Sequence, residues 1–304
     1  MTPRIYETPA SFKRALEDRL KSASTSGVDF ARRRQLLVFD RFLARTAVAF
    51  GEAVMLKGGL VLELRLERAR TTKDVDLRIA GSSKDILARL QAAGALDLSD
   101  FMQFEVAPDP ETPEIVGDGV QYDGYRFRAE CRLAGKIYGA RFGVDVAFGG
   151  VLTGDVEQIT TDDLLGFAGI APPRLRVVPI ETHLAEKLHA YTMPRDRPNT
   201  RVKDLPDLAL LGTIRPLQAA RVREAIERTF GSRRVHQVPA RLPSPPDAWA
   251  APYARMAELD DLPWSTLAEV EAIARAFLDP VLGPDAWAEW DPRAWKWRPL
   301  DRAD

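Results

Sequence analysis

Residues 73–77, Lys-Asp-Val-Asp-Leu, set two carboxylates, Asp74 and Asp76, two positions apart beside apolar neighbours. Successive strand side chains alternate between faces, so the two acids share one face while Val75 and Leu77 take the other. Carboxylates held side by side repel each other unless a cation sits between them. Hard oxygen ligands of this kind suit Mg²⁺, which commonly joins a protein carboxylate to a substrate phosphate. Ahead of them the glycine pair Gly58-Gly59 opens an apolar run. Lacking side chains, it lets backbone N–H groups approach an anion such as a triphosphate. Together these features are equipment for phosphoryl or nucleotidyl transfer.

An Asp-x-Asp pair by itself is also a common solvated turn, so a third acid carries weight. Residues 136–148 alternate as a strand, with Tyr138, Ala140, Phe142, Val144 and Val146 on one face. Asp145 falls on the other, flanked by Gly143 and Ala147, which leave space around it. An acid in an apolar strand needs a partner. A metal shared with Asp74 and Asp76 is one such partner, and an arginine is the other. Three carboxylates in similar settings favour the metal.

A second block lies further on. Residues 180–191 fit a helix with Leu184, Leu188 and Tyr191 at core spacing, which leaves Glu186 and Lys187 off that stripe. Lys187 is then a candidate point charge for phosphates, or a solvated surface lysine. His183 and His189 have no acidic or cysteine partners at ligand spacing and read as ordinary helix residues. Asp204, followed by Leu205-Pro206, suits a helix N-cap, and Asp207 falls in the same first turn.

Four motifs therefore stand in order: Leu56-Lys57-Gly58-Gly59, then Arg70-Thr71-Thr72-Lys73-Asp74-Val75-Asp76-Leu77, then Glu186-Lys187-Leu188-His189-Ala190, then Arg201-Val202-Lys203-Asp204-Leu205-Pro206-Asp207-Leu208. With them the chain resembles the AbiEii/AbiGii nucleotidyltransferase toxin family, within the polymerase-beta-like nucleotidyltransferase superfamily. One departure from the wider superfamily is Gly59, which stands where a serine is usual. Backbone amides, Lys57 or Thr72 would have to supply the missing phosphate contact.

The resemblance covers residues from about 35 to 215, and with the element pattern of the chain it gives an α/β fold: a nucleotidyltransferase lobe with a mixed sheet expected over 1–172 and a mainly helical lobe over 173–304. The nucleotidyltransferase resemblance carries further expectations. It implies Mg²⁺ held by Asp74 and Asp76, with Asp145 completing a two-metal site, and a nucleoside triphosphate as substrate. Lys57, Gly58, Gly59, Arg70 and Thr72 would bind the nucleotide, and Lys187 would neutralise its phosphates. The Lys-Asp-x-x-Asp segment would face the nucleotide, with either Asp204 or Asp207 acting on the attacking group. The implied acceptor is tRNA at its 3′ end, the consequence blocked translation, and the partner a separately encoded antitoxin. A small-molecule or protein hydroxyl is the alternative acceptor, and a degenerate binding module is the alternative class.

The elements that must position these residues follow from the pattern. Helices are expected over 10–22 and 30–50, a βα unit over 53–68, the Asp-x-Asp strand at 73–80 and a helix at 84–94. Strands are expected near 101–107 and 123–133, a loop region over 149–175, and mostly helices beyond. Arg32-Arg33-Arg34 reads as a solvated helix end. All six tryptophans follow the proline-rich stretch 236–248, and they read as anchors of a folded-back tail rather than as RNA-stacking groups.

Composition agrees with a compact enzyme: 304 residues, 45% hydrophobic and 29% charged, with net charge −1. The near-neutral balance excludes a broadly basic nucleic-acid binder. The single cysteine, Cys131, excludes a disulfide framework and a cysteine-rich zinc site. No secretory signal and no apolar run of membrane-spanning length is visible, so the cytoplasm is the expected compartment and no membrane partner is expected.

Overall fold

The computed structural model describes residues 4–66, 71–114, 124–195, 199–283 and 288–299. Helix α1, Pro9–Ser22, begins where the Thr8 hydroxyl accepts from the Ser11 amide and Pro9 opens the first turn. Helix α2, Gly27–Phe50, begins where Ser26 caps the Asp29 amide. Then come β1 (Val54–Lys57), α3 (Gly59–Arg65), β2 (Asp74–Ile79), α4 (Ile86–Gly94), β3 (Met102–Pro108) and β4 (Gly124–Leu133). They are followed by β5 (Lys136–Ile137), β6 (Phe142–Phe148), β7 (Glu157–Thr160) and β8 (Arg174–Val177).

These eight strands form one mixed sheet in the order β3-β4-β6-β2-β1-β8-β7, with β5 paired to β4. Its apolar face packs under α2: Phe39 and Phe42 both meet Phe142 edge-on, with ring centroids 5.1 and 5.4 Å apart. Val75, Leu77, Val144 and Val146 are buried on that face. The opposite face is therefore left to Asp74, Asp76 and Asp145.

Two expectations about strands need correction. Residues 136–148 are not one strand: β5 folds back on β4, and Gly139, at φ +76°, carries the chain round to β6. Within 149–175, expected to be loop, lies β7 and the start of β8, and β8 runs parallel to β1 through Leu56↔Val177. Each of these strands has four residues, three of them polar in β7 and two in β8, too short for alternation to announce them.

The remaining elements are α5 (Ile180–Thr192), α6 (Asp204–Leu211), β9 (Leu217–Gln218), α7 (Ala219–Arg233), α8 (Ala250–Leu259), α9 (Leu267–Leu282), β10 (Ala288–Asp291) and β11 (Lys296–Pro299). Their apolar side chains make a second cluster, distinct from the one under the sheet. Membership passes from one cluster to the other between Val177 and Ile180. Helix α3 belongs to both, with Leu60 and Val61 in the first and Leu62 in the second. It is thus the splint between them.

The tryptophan tail packs inward. Strands β11-β10-β9 form a small sheet in which Trp290 faces Trp297. Trp290 is fully buried and donates to the Gly212 carbonyl at 2.7 Å. Trp297 stacks on Phe277 and donates to its carbonyl at 2.8 Å. Among the described residues no helix is long and apolar enough to cross a membrane.

Candidate active site

One row of charged side chains crosses four strands of the sheet. Lys57 on β1 is the register partner of Asp76 on β2. Asp76 is the partner of Asp145 on β6, and Asp145 that of Arg126 on β4. Asp74, two residues earlier on β2, is the partner of Gly143. This row lies along a cavity of about 850 Å³, within the range of small-molecule sites.

Glycines make room for the two leading acids. Gly58 has φ +73° and ψ −162°, a combination open essentially to glycine alone, and a Cβ there would collide with the Asp76 carboxylate. A Cβ on Gly143 would stand 2.6 Å from Asp74 Oδ1, to which the Gly143 amide donates at 3.2 Å. The glycine expected to admit a phosphate thus also admits the carboxylate beneath it. Gly59 begins α3 and also lines the cavity.

The electrostatics of the row are uneven. Burial pushes the Asp76 carboxyl above its ordinary value; Lys57 and Lys187 oppose that, and Asp145 and Asp74 add to it. Lys57 Nζ is 3.3 Å from Glu186 Oε2, and the other Glu186 oxygen is 3.3 Å from Arg233 on α7. Burial opposes the charge of Glu186, but Lys57 and Arg233 outweigh it and hold the group below its usual range.

Asp145 was expected as a third metal ligand, and the structure gives both its oxygens to an arginine. Arg126 Nε donates to Oδ1 at 2.9 Å and its Nη2 to Oδ2 at 3.1 Å. Among the described residues no three Asp, Glu, His or Cys side chains are gathered as a metal cage. Asp74 and Asp76 do fit one hard divalent cation: they share a face, and the glycines keep the space beside them clear.

The second block meets the cavity through Lys187, which lines it together with His183 and Glu186 of the same helix. Lys187 Nζ is 3.1 Å from Asp204 Oδ1 and 2.6 Å from Asp207 Oδ2. Both acids are fully buried, and neither lines the cavity. Asp204 is the first residue of α6 rather than its N-cap; Lys203 holds that place without a side-chain cap. Asp204 is instead turned to Lys187 and to Arg201, 2.9 Å away. The pair orients the lysine.

Thr72 is buried at the cavity edge, its amide donating to Glu63 at 3.0 Å and its carbonyl accepting from Arg32 at 2.8 Å. The Thr71 amide donates to Asp260, beyond α8, at 2.9 Å. Arg32 is therefore a clamp on the segment leading into β2, not part of a solvated run. Arg70 lies outside the described residues. Arg126, Arg233 and Asp260, which belong to none of the four motifs, also line the cavity. So does His183, no ordinary helix residue: it is buried on the cavity wall, where burial and then Lys187 push its pKa down to about 3. A basic residue alternating along β4 was the one signal for Arg126.

The family described as "Nucleotidyl transferase AbiEii toxin, Type IV TA system" matches residues 41–278. MenT4, a nucleotidyltransferase toxin from Mycobacterium tuberculosis H37Rv, is similar in structure at TM-score 0.58 and 18% identity, over 95% of this chain and 93% of that one. JHP933 from Helicobacter pylori overlaps at TM-score 0.46 and 15% identity, over 85% of this chain and 95% of that one. No curated protein matches the chain. The first of these likenesses shows a shared fold.

Proposed function

The chain belongs to the AbiEii nucleotidyltransferase toxin family, and on that premise we propose that it moves a nucleoside monophosphate from a nucleoside triphosphate onto RNA. The acceptor in this reading is the 3′ end of tRNA, the requirement is Mg²⁺, and the outcome is arrested translation held in check by a separately encoded antitoxin. The observation that carries it is the charge row Lys57–Asp76–Asp145–Arg126 on the cavity wall, with Lys187 close enough to act on Asp76.

Each residue has a task within that reading. A Mg²⁺ ion bound by Asp74 and Asp76 would polarise the α-phosphate and shield its charge. Lys57 and Lys187 neutralise the triphosphate as point charges, each held in place by its own carboxylates. Gly58, Gly59 and Thr72 shape the wall against which the phosphates lie. The acceptor oxygen bonds to the α-phosphorus, the bond from that phosphorus to the bridging oxygen breaks, and pyrophosphate leaves with the bonding electrons. The acceptor's proton passes to a carboxylate of the cleft.

The charge of the cavity bears on the acceptor. Among the described residues, eight lysines and arginines line it against six carboxylates. A cationic small molecule would prefer an acidic pocket, whereas a polyanion suits this one.

The test is transfer of α-labelled ATP, CTP, GTP and UTP onto total tRNA with Mg²⁺, for the native chain, Asp76→Ala and Lys187→Ala. Label on tRNA that is lost in both variants supports the reading. Label on small amines or on protein instead moves the acceptor, and no label with any acceptor removes the enzymatic reading.

A further inference from the structure

The Asp145–Arg126 pair is the part of the cleft that a site with two cations leaves unexplained. Arg126 is held from several sides. Two of its nitrogens meet the two oxygens of Asp145, and its remaining Nη1 donates to Thr112 Oγ1 at 2.9 Å. Its backbone is fixed as well: its amide donates to the Pro113 carbonyl at 2.8 Å, and its carbonyl accepts from the Asp109 amide at 2.9 Å. Register puts Asp145 directly between Asp76 and Arg126, so the guanidinium stands at the far end of the row from Lys57.

A metal ion on the Asp145 oxygens would sit about 2.0–2.1 Å from them. The guanidinium already occupies those oxygens, it keeps its charge at any working pH, and a divalent ion beside it would be strongly repelled. We infer, resting on the nucleotidyl-transfer reading, that the cleft takes one divalent cation at Asp74 and Asp76, and that Arg126 is the fixed positive group beside Asp145 where a two-metal site has its second ion. Among the described residues three of the five guanidinium N–H groups are used, in the bonds above, which leaves two to meet a phosphate oxygen. Arg126 is therefore a positioning residue that sets how many ions the cleft holds and where the second positive charge stands.

Metal stoichiometry tests this without any turnover. Mn²⁺ is titrated into the full chain saturated with a non-hydrolysable α,β-methylene triphosphate, and free Mn²⁺ is followed by electron paramagnetic resonance. The expected counts are one ion per chain for the native protein and for Asp145→Asn, two for Arg126→Gln, and one for the Arg126→Gln/Asp145→Asn pair. Two ions in the native protein, dropping to one in Asp145→Asn, overturn the inference and leave nucleotidyl transfer standing. A single ion retained in a folded Arg126→Gln also overturns it. Should Arg126→Gln fail to fold, the native and Asp145→Asn counts decide alone, one and one in favour, two and one against. Native protein that holds nucleotide but no Mn²⁺ brings down the nucleotidyl-transfer reading and this inference together.

Discussion

Lys187 Nζ lies 2.6 Å from Asp207 Oδ2, and the carboxylate it meets is fully buried. Helices α5 and α6 are thus locked at the point where their shared lysine enters the cleft. A buried charge pair contributes little net stability while intact, but removing one member leaves the other uncompensated. Asp207→Asn is expected to cost about 3 kcal/mol, the lower end of the range for a broken buried pair because Asp204 remains to hold Lys187. Urea unfolding measures the cost, and single-turnover transfer should fall alongside it. An Asp207→Asn protein of native stability with abolished transfer would instead place Asp207 at the attacking group.

Gly58 and Asp76 make a second coupled pair, joined by space rather than by charge. Gly58→Ala puts a methyl group into the Asp76 carboxylate and strains a φ of +73°. The backbone strain alone is worth about 1–3 kcal/mol. Truncating Asp76 removes the carboxylate from the collision but leaves its Cβ, 2.9 Å from the added methyl group, and the backbone strain, so Gly58→Ala with Asp76→Ala should be less destabilised than the sum of the two changes. A coupling of about 1–2 kcal/mol in a double-mutant cycle is expected. Strict additivity would mean that the strand and the glycine turn move apart freely, and that the cradle is not rigid.

What the sequence made legible tracks the range over which its signals act. Alternation works over two residues, and it assigned Asp74 and Asp76 to one face and Val75 and Leu77 to the other, as observed. The helical stripe Leu184, Leu188, Tyr191 is buried as its spacing requires, with Lys187 turned to the cleft. Trp249, Trp264, Trp290, Trp295 and Trp297 pack on the helical core, and Trp287 lies outside the described residues. Pairings between strands are a different matter, because nothing local says that residue 126 comes opposite residue 145. An acid in an apolar strand calls for a partner, but which arginine it meets depends on a register set by the whole sheet. The same holds for Glu186, whose role depends on Lys57 and Arg233 arriving from two other elements. The break at Gly139 was hidden because alternation runs across it unchanged.

Two histidines give the fold a defined response to acid. Burial, then Lys187, drives His183 down to about 3, and burial, then Arg233, does the same for His189. Both side chains are buried. Between pH 6.5 and 3 the unfolded chain takes up protons at these sites and the folded one does not, so stability falls as pH falls through that window. Each contributes a loss of about 2 kcal/mol by pH 5, at 1.36 kcal/mol per pH unit. Asp76, whose pKa is raised, works in the opposite sense. Urea unfolding at pH 7 and pH 5 should show the loss reduced by about that amount in His189→Gln. An unchanged loss in that variant would show that His189 is protonated in the folded state too.

The tryptophan tail offers the clearest choice between structure and recognition. Trp297 is flat against Phe277, with ring centroids 6.0 Å apart and 5° between planes, and its indole N–H is already given to a backbone carbonyl. A ring committed on one face and at its only donor has little left for a nucleobase. Trp290, behind it, is sealed from solvent and bonded to Gly212 at the end of α6, the helix whose first turn supplies Asp204 and Asp207 to Lys187. Replacing either indole should therefore act through stability. Trp290→Ala is expected to cost about 3–5 kcal/mol, the range for emptying a large aromatic site in a core, and Trp297→Ala less because its ring is only partly buried. Tryptophan stacking on RNA would be worth about 1–3 kcal/mol per base and would appear as weaker binding at unchanged fold. Fluorescence-anisotropy titration of a labelled tRNA against folded Trp297→Ala should return the native affinity. A tenfold loss there, with unfolding unaltered, would turn the tail from an anchor into a contact surface.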